Sequence, residues 1–221
     1  MNIFTIGHSN QTVEEFISLL HKYEVTALAD VRSHPYSRYL PHFNQSNLKE
    51  SLINQGIRYV FLGRELGARS DNLDCYIEGK AIYERIAKTE TFHQGIQRVL
   101  EGTKKYKVAL MCAEKDPITC HRAILICQHL KKIDLNINHI LRNGNLESHL
   151  HLEDRMLVKQ GLTEFSEGSV QVQLTLFETN LPTREQCLQQ AYVLQGSEIA
   201  YVEKDETRYD KSNQPVHDWV Y

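Results

Sequence analysis

Short apolar runs alternate with amphipathic helical stretches along the first two thirds of the chain, and this alternation restricts the fold more than any other feature. Residues 3–6, 25–31, 57–62, 107–112 and 136–141 read as strands. Between them Thr12, with Glu15 three residues on, forms a capping box, and Val13, Phe16, Ile17, Leu20 and Tyr23 follow at helical spacing. Residues 46–55 carry Leu48, Leu52 and Ile53 and stop at Gly56, and Phe92, Ile96, Val99 and Leu100 mark a further helix. Residues 63–79 read as a loop and 80–88 as a helix. Such alternation implies parallel strands joined by right-handed crossovers. The expected fold is therefore α/β: an open, mainly parallel, Rossmann-like sheet of about five strands with helices on both faces, spanning residues 1–144. After Asn143-Gly144 the character changes. Residues 169–177 (SVQVQLTLF) alternate apolar and polar, 183–195 read as a capped helix and 199–202 as a short strand, so residues 145–221 are expected to form an α+β extension packed on the main unit.

The composition excludes several classes. A chain of 221 residues with 41% hydrophobic and 24% charged residues can bury a sizeable core, and a formal charge of −3 gives no global attraction to nucleic acid or membrane. The N-terminal MNIFTIGHSNQ has no basic stretch leading into a long apolar run, and no apolar segment approaches the length of a membrane span, so a cytoplasmic protein is expected. Five irregularly spaced cysteines (Cys75, Cys112, Cys120, Cys127, Cys187) suit free thiols, and the absence of a CxxC pair argues against a zinc ribbon. No nucleotide-cofactor motif is present.

Chemistry concentrates in KVALMCAEKDPITCHRAILICQHL, residues 107–130, which reads as a buried strand, a polar loop and a helix. With Thr119 as N-cap, Cys120, His121 and Arg122 would open the helix, where unpaired N–H groups and the positive end of the dipole favour an anion or a thiolate. Open parallel sheets bind ligands beyond the carboxyl ends of their strands. This chain places His8, Ser9 and Asn10 after the first strand, Asp30, Arg32, His34, Tyr36, Ser37 and Arg38 after the second, and Arg64 and Glu65 after the third. The fourth delivers Cys112, Glu114, Lys115, Cys120, His121 and Arg122. Blander readings stand beside these. Asp30 and Arg32 could be a structural ion pair, Cys112 a small core residue, and Cys127 and Cys187 packing. His149 and His151 could hold a metal or simply be solvated.

TIGHSNQTVEEF, ADVRSHPYSR, PHFN, IRYVFLGRELG and CAEKDPITCHR, in that order, resemble the blocks of the bacterial and archaeal domain-of-unknown-function family 488 over roughly residues 1–142. Ala68 departs from the pattern, where a second glycine is expected in the LGxR turn. The resemblance implies an α/β fold with a shared site of His8, Ser9, Asp30, Arg32, Cys112, Glu114, Cys120, His121 and Arg122. It implies no reaction.

Three function classes follow. The first is an enzyme acting on an anionic, nucleotide or nucleic-acid substrate. In it Cys120 is the nucleophile, His8 or His121 the acid or base, and Asp30 and Cys112 further catalytic candidates; Ser9, Arg32, Arg38, Arg64, Glu114 and Arg122 bind the anion, and Arg69, Tyr36, Tyr39 and Phe43 form a rim. A narrower version is sulfur transfer, since the ADVR strand end followed by a strand ending in Cys112 is similar to the rhodanese domain, although the acidic loop would oppose a thiolate there. The second is a zinc or iron protein with Cys112, Cys120 and His121 as ligands, helped by His8 and Asp30, with the reservation that adjacent Cys120 and His121 tend to diverge from a helix start. The third is a non-catalytic nucleotide- or nucleic-acid-binding module.

Overall fold

The computed structural model describes residues 2–131, 133, 135–166 and 181–203. The alternating strand at residues 169–177 and the final segment from residue 204 lie outside them. The element order is β1 (Asn2–Gly7), α1 (Val13–Lys22), β2 (Ala27–Asp30), α2 (Gln45–Asn54), β3 (Arg58–Phe61), α3 (Gly63–Leu66), β4 (Tyr76–Ile77), β5 (Lys80–Ala81), α4 (Tyr83–Ile86) and α5 (Glu90–Thr103). It continues with β6 (Val108–Cys112), a π-helical segment (Arg122–Cys127) running into α6 (Gln128–Lys131), β7 (Asn136–Ile140), β8 (Leu146–Ser148), α7 (His149–Lys159) and α8 (Arg184–Ile199).

Six strands form one sheet in the order β3-β2-β6-β1-β7-β8. The five expected strands are parallel throughout, and β8 adds an antiparallel edge through the tight turn at Asn143-Gly144, Gly144 taking φ 77°. The mainly parallel α/β sheet is as expected, and the sixth strand is short enough to escape pattern reading. Two apolar layers enclose the sheet. Phe16, Ile17 and Leu20 of α1 and Leu48 and Leu52 of α2 pack under one face, while α5, the π segment, α7 and α8 cover the other. Full burial of each such side chain contributes roughly 1.5–3 kcal/mol. The capping box of α1 forms as read, Thr12 Oγ1 accepting from the N–H of Glu15 and the Glu15 carboxylate accepting from the N–H of Thr12.

Local expectations fail where tertiary contact overrides pattern. Residues 63–79 are not all loop, because Leu66 buries itself against Gly95 of α5 and so holds the single turn α3. Of residues 80–88 only Tyr83–Ile86 is helical; Lys80–Ala81 pairs with β4, and the N–H of Ala81 donates to Tyr201 O. Residues 199–202 do not make a strand: Ile199 ends α8, and Val202 bridges only Lys80.

The chain leaves β1 and β6 in opposite directions, so the point where strand order reverses lies at their carboxyl ends. There the N–H groups of His8 and Ser9 donate to the carbonyls of Cys112 and Ala113 at 3.0 and 2.8 Å. Gly7 permits this closeness, since a Cβ at that position would lie 1.9 Å from the Glu114 carbonyl oxygen.

A candidate metal centre at the carboxyl edge

Beyond β6 the chain turns through Pro117–Thr119, a 3₁₀ turn capped by the Asp116 carboxylate, which accepts from the N–H of Ile118. Thr119 is therefore not the N-cap, because its hydroxyl donates to Asp116 O inside that turn. Cys120, extended at φ −133° and ψ 136°, takes the capping place instead: its carbonyl accepts from the N–H groups of Ala123 and Ile124, and its Sγ accepts from the N–H of Arg122 at 3.4 Å. The segment that follows is π-helical over Arg122–Cys127, a geometry that recurs at functional sites.

The one-residue shift of the cap has a chemical result. Cys120 and His121 converge rather than diverge, and with Cys112 and Glu114 they place four ligand atoms within 4.8 Å of one another. Cys112 Sγ lies 3.7 Å and Cys120 Sγ 4.0 Å from His121 Nδ1, and Cys120 Sγ lies 2.9 Å from Glu114 Oε2. Ligand atoms of a tetrahedral zinc site are about 3.3–3.8 Å apart, given bonds of about 2.3 Å to sulfur and 2.0–2.2 Å to nitrogen and oxygen. Cys112, Cys120 and His121 are buried at 3%, 1% and 6% exposure, and Glu114 is the exposed member.

The tautomer of His121 is decided by its other ring nitrogen. Nε2 lies 3.0 Å from Val31 O, which can only accept, so Nε2 carries hydrogen, and in the neutral ring the Nδ1 lone pair faces both sulfurs. Without a metal the cluster shares protons instead. Burial pushes the Cys112 thiol up, as does its hydrogen bond with Cys120. Burial opposes ionisation of Cys120 too, but the Cys112 hydrogen bond, the Arg122 guanidinium and His121 outweigh it and hold this thiol well below its ordinary range. Burial lowers His121 while Cys120 raises it, with a net rise. Although Glu114 as a residue is exposed, desolvation of its carboxylate end against the cluster and the neighbouring Cys120 raise its carboxyl.

Arg122 is fully buried, and among the described residues no carboxylate pairs with it. Its Nη1 donates to Glu114 O at 2.8 Å and its Nε to Thr5 Oγ1 at 3.4 Å. Arg32 is closed in as well: Nε and Nη2 donate to Asp30 at 2.9 and 2.6 Å, and Nη2 also donates to Phe43 O. Asp30 accepts in addition from Tyr59 OH, which occupies it as a structural partner. His8 stacks on Phe43 with ring centroids 4.3 Å apart, donates through Nδ1 to Ser9 O and presents Nε2 to Arg32 Nη1 at 3.3 Å. Burial, reinforced by Arg32 and opposed by the Ser9 carbonyl, lowers its pKa to about 4, so it is neutral. Ser9, at φ 46°, bends the chain away from β1.

The structure thus brings Cys112, Glu114, Cys120, His121 and Arg122 into one cluster, with His8, Asp30 and Arg32 as a neighbouring ion-paired group. Arg38, Tyr36 and Tyr39 are exposed on the loop after β2, Arg64 is exposed on α3, and Arg69, exposed on the loop after α3, lies over the Tyr201 ring. His149 and His151 form no metal group among the described residues; His151 bonds Glu147, and His149 belongs to a buried chain of polar groups. That chain includes Thr5, His139, Tyr192 and Glu153, none of which the sequence reading singled out. A histidine and a threonine inside apolar strands were the signal available.

Among the described residues no helix is long and apolar enough to cross a membrane. No curated protein and no solved structure matches the chain. The family model of a domain of unknown function, DUF488, matches residues 12–128, more than half of the chain and all four residues of the cluster, as the motif blocks imply. The chain belongs to the DUF488 family.

Proposed function

We propose that this protein is a zinc-dependent enzyme whose metal is held by Cys112, Cys120 and His121, with Glu114 as a displaceable fourth ligand. The observation that carries this reading is the Nε2–H donation from His121 to Val31 O, which turns the Nδ1 lone pair onto two thiols and a carboxylate. A ligating histidine is normally oriented by this kind of outer bond, and the Nδ1 lone pair, two sulfurs and a carboxylate oxygen converge as the ligands of a divalent cation do. Charge balance agrees. Two thiolates, one carboxylate, a neutral imidazole and a divalent cation carry one net negative charge, which the buried Arg122 cancels. Catalytic zinc sites keep three protein ligands and one exchangeable position, and here the exposed ligand is Glu114. A metal so placed, at the carboxyl edge where strand order reverses, would act as a Lewis acid on an anionic substrate.

Cobalt substitution tests the reading. Cobalt(II) added to metal-free protein should bind one ion per chain and produce thiolate-to-cobalt charge-transfer absorption, which is lost in Cys120→Ser. Cobalt bound without that band would remove the cysteines from the site. A thiolate nucleophile at Cys120 is the second reading, favoured by the lowered thiol and raised imidazole of the metal-free cluster. The 1% exposure of Cys120 weighs against it. Rapid alkylation of Cys120 in zinc-loaded protein would bring it forward.

A further inference from the structure

Beyond the ends of β6 and β7 lies a cavity of about 780 Å³, joined to the cluster by the chain that runs from Glu114 into its wall. Its wall begins at Lys115, the residue after Glu114, and continues through Asp116, Leu141, Arg142, Glu147 and Arg155. The volume is in the range of small-molecule sites and far exceeds that of a bare inorganic anion.

The charges in that wall are not equally available. Glu147 accepts from Arg155 Nε at 2.7 Å, from Arg155 Nη2 at 3.0 Å and from His151 Nδ1 at 2.9 Å. Asp116 accepts from Arg155 Nη2 at 2.9 Å and from the N–H of Ile118. Burial would raise the Asp116 carboxyl, but these bonds hold it below its ordinary range, and both acids are engaged by Arg155. Arg155 thus ties the loop after β6 to β8 and α7 and leaves neither carboxylate free. Two cations differ from this set. Lys115 is exposed and has no ion pair or hydrogen bond among the described residues, and Arg142, also exposed, donates only to the neutral Asn10 side chain. The uncommitted charge facing the cavity is therefore twofold positive.

We infer that this cavity is a binding site for a phosphate monoester, with Lys115 and Arg142 taking the dianionic phosphate and the organic part lying along Leu141. A dianion matches two uncommitted cations, where a carboxylate would leave one unmatched, and an arginine fork suits phosphate oxygens. Together with the site beside Glu114, this assigns the substrate class of the proposed zinc centre, and in that respect it rests on that reading.

Calorimetric titration of phenyl phosphate tests the inference, with benzoate as the carboxylate comparison, into zinc-loaded and chelator-treated protein. Phenyl phosphate should bind both forms, more tightly than benzoate, and the Lys115→Ala/Arg142→Ala double variant should weaken it at least tenfold while zinc affinity stays unchanged. Neither residue is a metal ligand, so the titration stays readable if zinc does not bind at all. Absence of binding in both forms, equal binding by the double variant, or equal affinity for benzoate would each overturn the inference. Binding that vanishes on chelation yet survives in the double variant would mean phosphate on the metal alone and would overturn it too.

Discussion

Two buried polar clusters lie on the same side of the sheet and are solved in opposite ways. In the first, Arg122 Nε donates to Thr5 Oγ1, Thr5 to His139 Nδ1 at 2.8 Å, His139 Nε2 to His149 Nδ1 at 3.1 Å, His149 Nε2 to Tyr192 OH at 2.9 Å, and Tyr192 OH to Glu153 at 2.9 Å, where Lys131 supplies the counter-charge. Glu153 can only accept, and that fact fixes every donor back along the chain. Each group gives one hydrogen and takes one. In the second, Cys112, Glu114, Cys120 and His121 turn their ligand atoms onto one point, where the Cys120 thiol donates to Glu114 Oε2 at 2.9 Å and the Cys112 thiol faces the Nδ1 lone pair of His121 at 3.7 Å. The first network passes its hydrogens in one direction to a carboxylate and is structural; the second is held by thiol hydrogens, which a divalent cation can replace.

The comparison breaks most readily at the ligands. Cys120→Ser or His121→Ala should weaken zinc binding by about 3–4 kcal/mol, roughly 10²–10³-fold, taking the 10–16 kcal/mol of a structural zinc site as shared by four ligands. Competition with a chromophoric chelator measures it. Wild-type affinity in either variant would leave the cluster without a metal role.

Acidification attacks the satisfied chain next. Burial, with Lys131 adding to it, lowers the pKa of His149 to about 4, and burial lowers His139 well below its ordinary value. Both rings are neutral when folded and take up protons when unfolded, so the unfolded state binds more protons below pH 6.5. Their contribution to stability is complete above the unfolded pKa and is lost as pH falls from about 6.5 towards 4, at roughly 3 kcal/mol for His149 by pH 4. Urea unfolding of metal-free protein at pH 7, 5 and 4 should follow that decline. A profile that stays flat between pH 6.5 and 4 would show that the chain carries its protons differently.

Tyr192→Phe opens the same chain in the middle, leaving the His149 Nε2–H without its acceptor while Lys131 still holds both Glu153 oxygens, at a cost of about 2 kcal/mol. Zinc affinity should not change. A matching loss of zinc would mean that the two clusters are coupled through Thr5 and Arg122. The smallest effect is expected at Glu114, whose exposure makes it replaceable: Glu114→Gln should weaken zinc about tenfold, or roughly 1.4 kcal/mol, with both cysteines still bound.

How far each cluster was legible in the sequence follows from the same physics. Capping chemistry and periodicity are local, so α1, α8 and the five parallel strands could be read from neighbouring residues. The metal cluster was half legible. Cys112, Glu114, Cys120 and His121 all lie within one short segment, yet their convergence depends on Cys120 rather than Thr119 being the cap, which Asp116 and Pro117 decide by closing a 3₁₀ turn first. Arg32 and Arg122 looked like anion ligands because arginine at a strand end or helix start usually faces solvent. Here Asp30 and Phe43 enclose one and the sheet buries the other. The polar chain was illegible because Thr5, His139, His149, Tyr192 and Glu153 come from four separate elements, and their partnership exists only once β1, β7, α7 and α8 are packed. Leu66 in α3 was lost for a related reason, a single turn being too short to carry a period.

The most direct test of the central claim is zinc K-edge X-ray absorption on protein reconstituted with one equivalent of zinc. Two sulfur neighbours at about 2.3 Å and two nitrogen or oxygen neighbours at about 2.0–2.2 Å, one with the scattering signature of imidazole, are the predicted result. A first shell without sulfur, or a chain that retains no zinc after desalting, would contradict the assignment of Cys112, Cys120, His121 and Glu114 as a metal centre.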